Sequence, residues 1–139
     1  MDASLLAMYG SPRRGGNTDT MMEYFLEGAA RQAGGLERAY LRDLCFSSCT
    51  ECGSCAETGR CVIQDDMQHL YGKLLSCRRL VFALPVFFLG PPAVSKAFID
   101  RAQALWVRRN VLGMRTGGNR KGFLLSAGGF KREKGFSCN

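Results

Sequence analysis

The chain has one histidine, one tryptophan and four prolines among 139 residues. A lone histidine rules out the paired histidines of a zinc finger. No Ser/His/Asp set and no paired carboxylates stand out to support hydrolysis. Long apolar runs are missing too. The longest, residues 80–89, is too short to span a bilayer and contains Pro85. The amino-terminal stretch MDASLLAMYGSPRRGG lacks a basic n-region, so no secretory leader is expected. Acidic residues are the minority: 19 Lys and Arg against 12 Asp and Glu give a net charge of +7. Much of the excess falls late, at Arg108, Arg109, Arg115, Arg120, Lys121, Lys131, Arg132 and Lys134. A basic face can attract nucleic acid, anionic cofactors or acidic proteins. Ribonucleoprotein aromatics and a helix-turn-helix signal are absent, so a solvated surface is expected and neither nucleic acid nor membrane is a predicted partner.

An apolar fraction of 46% with 22% charged residues is that of an ordinary globular protein, and residues 1–139 read as a single domain. Residues 5–9 (LLAMY) form a buried strand pattern, followed by the polar turn SPRRGGNT. Residues 20–32 carry an apolar stripe at helical spacing, through Met21, Met22, Phe25, Leu26 and Ala29, and Gly34–Gly35 stop it. Residues 36–44 read as a second strand. Asp65 and Asp66 cap a helix running to about Cys77. RLVFALP, residues 79–85, is the most hydrophobic segment and predicts a central parallel strand. A helix over residues 94–109 and a strand over residues 121–127 complete the order. Alternation of this kind predicts an α/β fold with helices on both faces of a parallel sheet.

Seven cysteines are present, an odd number in a chain without an export signal. That usage reads as metal or redox chemistry in a reducing cytoplasm. Four of them, Cys49, Cys52, Cys55 and Cys61, follow the spacing C-x2-C-x2-C-x5-C inside a loop over residues 45–64. Three thiolates two residues apart can converge on one centre, and a fourth can close the cage. An iron–sulfur cluster is the leading reading. Zinc prefers two separated pairs, and redox-active or free thiols are the other alternative. The fourth cysteine comes after five residues rather than three, and no proline follows it, unlike the ferredoxin run. Cys45, Cys77 and Cys138 fall outside the spacing; Cys77 reads as a small buried hydrophobe.

In open parallel sheets, ligands bind beyond the carboxyl ends of the strands. Three loops there are suggestive. SPRRGGNT precedes a helix, where amides and dipole favour an anion, with Ser11, Asn17 and Thr18 as donors and Gly15 and Gly16 allowing close approach. It suits a terminal phosphate monoester; it is neither a dinucleotide fingerprint nor a nucleoside-triphosphate loop, and a tight turn is the bland alternative. PVFFLGPP places Phe87 and Phe88 in a stiff loop that could wall a ring system or simply fill core. Gly128 and Gly129 would let a ring's polar edge meet backbone donors. Among the other residues, His69 reads as solvated, Trp106 as core or subunit interface, and Asp100 with Arg101 as a local polar contact.

Together and in order, GSPRRGGNT, the cysteine run ending in CVIQDDM, and LPVFFLGPPAVSKAFIDR resemble the iron–sulfur flavoprotein family, within the flavodoxin-fold, NAD(P)H-dependent FMN reductase-like proteins. The resemblance runs over residues 5–129. It implies an FMN whose phosphate rests on Ser11, Arg13, Gly16, Asn17 and Thr18. Its isoalloxazine would lie against Pro85, Val86, Phe87, Phe88, Leu89 and Gly90 and against Ala127, Gly128 and Gly129. It implies a [4Fe–4S] cluster on Cys49, Cys52, Cys55 and Cys61, and no catalytic side chain beyond the cofactors. It also implies NAD(P)H as electron donor, a homo-oligomer (dimer or tetramer) and a redox partner protein such as a ferredoxin. Relatives lacking the cysteines act as flavin or quinone reductases, which is the second reading. A third is a non-enzymatic, zinc-stabilised binding module. The family pattern continues with a helix, a fifth strand and a closing helix, whereas this sequence ends at Asn139. The expected fold is therefore a flavodoxin-like αβα sandwich of strand order 2-1-3-4, the fifth strand missing. Its last strand would be an edge for a second subunit or further chain to cover.

Overall fold

Leu5–Tyr9 (β1) contains no charged residue, and all five side chains are buried. Burial on both faces requires a partner layer on each, and the computed structural model, which describes residues 5–29, 34–114 and 119–129, shows both. β1 pairs in parallel with β2 (Leu36–Tyr40) on one edge and β3 (Arg79–Pro85) on the other. β3 pairs in parallel with β4 (Lys121–Ala127), giving the order β2-β1-β3-β4. Leu5, Ala7 and Tyr9 pack with Met22 and Leu26 of α1 (Asn17–Ala29). Leu6 and Met8 point the other way, into a cluster with Leu70 and Leu74 of α3 (Met67–Ser76) and Phe98 of α4 (Ala93–Arg101). Helices therefore cover both faces, and the expected three-layer, flavodoxin-like sandwich of order 2-1-3-4 is the observed one.

Four details differ from expectation. β2 ends at Tyr40, because the fully buried Leu41 starts a 3-10 turn (Leu41–Asp43) that bends the chain off the sheet. Residues 94–109 do not form one helix: α4 ends at Arg101 and α5 (Gln103–Asn110) follows. The Ala102 N–H is shared between the Phe98 and Ile99 carbonyls, and this tightened turn lets Arg101, Ala104 and Val107 all point inward. A one-turn helix, α2 (Cys55–Thr58), interrupts the cysteine loop. Finally, Asp66 does not cap α3 with its carboxylate. Asp65 Oδ1 takes the Met67 N–H at 3.1 Å, and Asp66 Oδ2 takes the Cys45 N–H at 2.6 Å instead.

Among the described residues β4 has no partner on its far edge, and Phe123 and Leu124 of this strand are exposed. No described helix is long and apolar enough to cross a membrane. The expected end of the first helix (residues 30–32), Arg115, Lys131, Arg132, Lys134 and Cys138 lie outside the described residues.

One glycine fixes how β1 exits the sheet. Gly10 donates its N–H to the Ala83 carbonyl at 2.7 Å and accepts the Ser95 hydroxyl of α4 at 2.7 Å. A Cβ at this position would stand 2.7 Å from the Phe82 ring and 3.1 Å from the Ala83 carbonyl oxygen, besides striking Ser95 Oγ. Gly10→Ala is therefore expected to destabilise the protein by about 1–3 kcal/mol through overpacking. Urea unfolding checks this; an unchanged midpoint would show that α4 can step back from β1.

Candidate functional site

The loops after β1, β3 and β4 meet at one end of the sheet around a cavity of about 170 Å³. Its lining comprises Ser11, Arg13, Gly16, Asn17, Thr18, Pro85, Val86, Phe87, Ala127, Gly128 and Gly129. Sequence reasoning had drawn all of these into one site. The cavity is smaller than the ~300–1,000 Å³ of most small-molecule pockets, so a large ligand would be enclosed at one end and open at the other.

The first loop is shaped for an anion by its backbone. Gly15 takes φ +64°, which an L side chain rarely adopts. The first bond of α1 runs from Thr20 N–H to the Gly16 carbonyl at 3.0 Å, so the preceding N–H groups have no intrahelical acceptor. Helix N-terminal amides of this kind attract negative charge. The Ser11 hydroxyl is buried and accepts the Arg13 N–H at 3.2 Å. Arg13 is exposed and its guanidinium lies beside Gly16. Arg14 turns away to pair with Asp43.

Three expected ring-contacting residues sit elsewhere: Phe88, Leu89 and Gly90 do not line this cavity. Phe87 and Gly90 exchange backbone hydrogen bonds of 2.8 and 3.0 Å, closing a two-residue turn with Phe88 at φ +42° and Leu89 at φ +66°. Positive φ at both central positions is the mirror-image turn that normally selects Gly or Asn. The turn throws both side chains outward, with Phe88 at 102% and Leu89 at 93% relative exposure. Phe87 alone of the two phenylalanines walls the cavity.

The cysteine loop builds a second cavity, of about 30 Å³, lined by Cys49, Cys52, Cys55 and Cys61 together with Asp100, Arg101 and Ala104. None of the four is in a disulfide. Glu51 and Gly53 take positive φ, curling the chain where Cys49, Cys52 and Cys55 follow one another at three-residue steps. The Glu51 N–H lies 3.3 Å from Cys49 Sγ, and Cys52 Sγ lies 3.4 Å from the Ser54 hydroxyl. Hydrogen bonding from Ser54 holds the Cys52 thiol below its ordinary range. Gly59, at φ +64°, lets the loop come down onto α5; a Cβ there would stand 3.1 Å from Arg108 Cα. As they stand, no three His, Cys, Asp or Glu side chains among the described residues are arranged to hold a metal ion. The donor set nevertheless suits one in kind: four free thiols around one cavity. The space is of the order of a single water, so a cluster would need the thiols to part.

The base of this loop is the part that sequence reasoning missed. Arg101 does not pair with Asp100, which binds Lys96 at 2.6 Å. Its side chain is fully buried and grips Asp65 with both terminal nitrogens, at 2.7 and 3.0 Å, while also donating to the Ser47 carbonyl at 2.9 Å. Asp65 in turn accepts the Ser47 N–H at 3.1 Å. The Arg101 carbonyl accepts the Tyr71 hydroxyl at 2.8 Å, and burial pushes the Tyr71 phenol up to about 12. No spacing rule links residues 47, 65 and 101. The one available signal was an arginine within an otherwise amphipathic helix.

Of the remaining cysteines, Cys45 is exposed and outside the cavity. Cys77 is buried at the end of α3 as expected, and burial pushes its thiol up. His69 is solvated. Trp106 is 61% exposed and so is not core.

Comparison with known proteins agrees with this architecture. The NADPH-dependent FMN reductase family matches residues 3–127, and the chain belongs to that family. It is 32% identical over 120 residues to an iron–sulfur flavoprotein of Methanosarcina thermophila, covering 86% of this chain and 60% of that protein. An iron–sulfur flavoprotein of Archaeoglobus fulgidus is 32% identical over 96 residues, 69% of this chain and 44% of that protein. The chain thus spans about half the length of these relatives. In fold it is similar to an NAD(P)H:quinone oxidoreductase from Methanothermobacter marburgensis, with TM-score 0.64 at 15% identity over 95% of this chain and 87% of that one.

The Arg101–Asp65 pair generates a prediction. Arg101→Met strands a nearly buried carboxylate and is expected to cost about 3–5 kcal/mol in urea unfolding. Hydrogen bonding from Arg101 holds the Asp65 carboxyl below its ordinary range. The pair's contribution is therefore complete above the unfolded value, about 3.9, and is lost as pH falls through the lower native value. Stability of the native protein is expected to drop more steeply on acidification than that of Arg101→Met; parallel acid profiles would count against the pairing.

Proposed function

We propose that this chain is the flavin-binding part of an oxidoreductase that carries FMN in the sheet-end cavity and an iron–sulfur cluster in the cysteine loop. The observation that carries the reading is the convergence of the anion-receiving loop with the loops after β3 and β4 on one cavity. In this reading Ser11, Asn17 and Thr18, with the free amides of α1, hold the phosphate. Arg13 covers it from the solvent side. Pro85, Val86, Phe87, Ala127, Gly128 and Gly129 receive the ring. Phe88, Leu89 and Gly90 act from outside the cavity, their turn presenting an apolar tip to whatever closes the open side. Membership of an FMN reductase family supports the flavin.

The cluster reading rests on the four thiols around one cavity and on relatives that carry the name iron–sulfur flavoprotein. Cys49, Cys52, Cys55 and Cys61 would hold a [4Fe–4S] centre. When bound, the flavin supplies two-electron and one-electron chemistry and the cluster one-electron transfer. The chain contributes position and charge, with Arg101 fixing the cysteine loop from beneath. NAD(P)H as donor, a ferredoxin-like redox partner, a dimer or tetramer, and a cytoplasmic setting complete the proposal. The rival reading, an NAD(P)H-dependent FMN or quinone reductase without a cluster, draws on the name of the family itself and on thiols that do not converge as they stand.

Anaerobically purified protein decides between them by its absorption spectrum with iron and sulfide assays. Brown-yellow protein with acid-labile sulfide is expected. Cys→Ser at 49, 52, 55 or 61 should remove most of the iron, and the same change at 45 or 77 should not. Plain yellow protein would favour the reductase, and colourless protein holding stoichiometric zinc would sink both. For the flavin site, Asn17→Ala or Thr18→Ala is expected to weaken FMN binding by about 1–3 kcal/mol, since each leaves a phosphate oxygen short of a donor. Unchanged dissociation constants in both variants would move the phosphate elsewhere.

A further inference from the structure

The anion-receiving loop contains an internal contradiction. Asp19, in the first turn of α1, is buried, and its Oδ2 accepts the Gly15 N–H at 2.9 Å. A carboxylate there stabilises the helix start and fixes the left-handed Gly15, but it also sets a negative charge beside the place where an anion would rest. Asp19 does not itself line the cavity, but it follows Thr18, which does, and an uncompensated negative charge so close in the chain would repel a bound anion.

A second buried group resolves this. Arg42 lies in the 3-10 turn after β2, with its side chain 9% exposed. Its terminal nitrogens meet both Asp19 oxygens, at 3.1 and 2.8 Å, in a fork-to-fork pair. The same Nη1 also donates to the Ser11 carbonyl at 3.2 Å and to the Arg13 carbonyl at 3.1 Å. One guanidinium therefore pairs with the acid and occupies two loop carbonyls. Arg42 Nε is buried with no partner, so the side chain tolerates an unsatisfied polar atom to hold this position. Of the other cations nearby, Arg14 is committed to Asp43 and Arg38 to Glu23, and Arg13 is exposed beside Gly16, on the cavity rather than on Asp19.

We infer that Arg42 is the positioning residue that makes this loop accept a phosphate dianion, by cancelling the charge of Asp19 and fixing the loop's carbonyls. Arg42 does not line the cavity and acts on the ligand only through Asp19 and the loop. The inference rests on the FMN reading and adds to it the origin of the loop's preference for a phosphorylated over an unphosphorylated flavin.

The experiment compares FMN with riboflavin, which share the ring and differ in the phosphate. Dissociation constants are measured by fluorescence titration for the native protein, Arg42→Met, Arg42→Lys and Arg42→Met/Asp19→Asn, with circular dichroism as the check on folding. The native protein is expected to prefer FMN. Arg42→Met should weaken FMN at least about tenfold while riboflavin changes less than about threefold, the signature of lost phosphate recognition rather than a damaged pocket. The double variant, which removes both charges, should recover most of the FMN affinity. Arg42→Lys keeps the charge but loses the fork on Asp19 and the carbonyl contacts. It should weaken FMN about three- to tenfold with riboflavin little changed, which keeps the question answerable if the methionine variant does not fold. A lysine variant that binds FMN as the native protein does would count against the role. Equal weakening of both flavins in Arg42→Met, or a double variant as weak as the single, would overturn the role given to Arg42. A native protein that binds both flavins equally well would overturn the phosphate site itself, and the inference with it.

Discussion

Both hydrophobic cores lean on the same five residues. β1 is hydrogen-bonded on both edges and buried on both faces, so every other layer is placed by contact with it. Odd positions face α1 and even positions face α3 and α4, and a one-residue slip would exchange the two cores. The strand also ends where the chemistry begins. Its carboxyl end runs directly into the loop that precedes α1, and Gly10 holds that exit flush against β3 and α4. The shape of the anion-receiving loop is therefore a consequence of sheet geometry before it is a matter of its own sequence.

Two buried arginines extend that order into segments without regular structure. Each meets a carboxylate through both terminal nitrogens and a backbone carbonyl besides. Fork-to-fork pairing suits this work because it sets orientation as well as distance. Buried pairs of this sort contribute little net stability compared with apolar replacements of both partners. What they supply here is attachment: each holds a loop to a side chain or carbonyl far away in the chain. Arg42, just ahead of Cys45 in the chain, is tied to the loop before α1, and Arg101 ties Ser47 and Asp65, near the two ends of the cysteine segment, to α4.

The strands and the sheet order were legible because they depend on local pattern. LLAMY and RLVFALP are short apolar runs bounded by polar turns, and the alternation of helix and strand leaves a parallel sheet as the natural solution. The cavity lining was legible for a related reason: loops after parallel strands gather at one end. What sequence could not supply were contacts between distant side chains. Arg42 and Asp19 are 23 residues apart and Arg101 and Asp65 are 36 apart, with no periodicity connecting either pair. The turn at Phe88 and Leu89 was also hidden. Residues that disfavour positive φ stand at both positions, so propensity argued for a different loop.

The cysteine segment enters and leaves through a single closed gate. Cys45 and Asp66 exchange two hydrogen bonds, one from the Cys45 N–H to the Asp66 carboxylate and one from the Asp66 N–H to the Cys45 carbonyl. Twenty residues thus begin and end at the same point on the body of the protein. The paired ends close the excursion as a short bridge would. Beyond the gate the segment returns to the body of the protein, where Phe46, Cys55 and Cys61 pack against the core shared by α3 and α4 and Gly59 settles on α5, so a change inside it is felt along that face of the sheet.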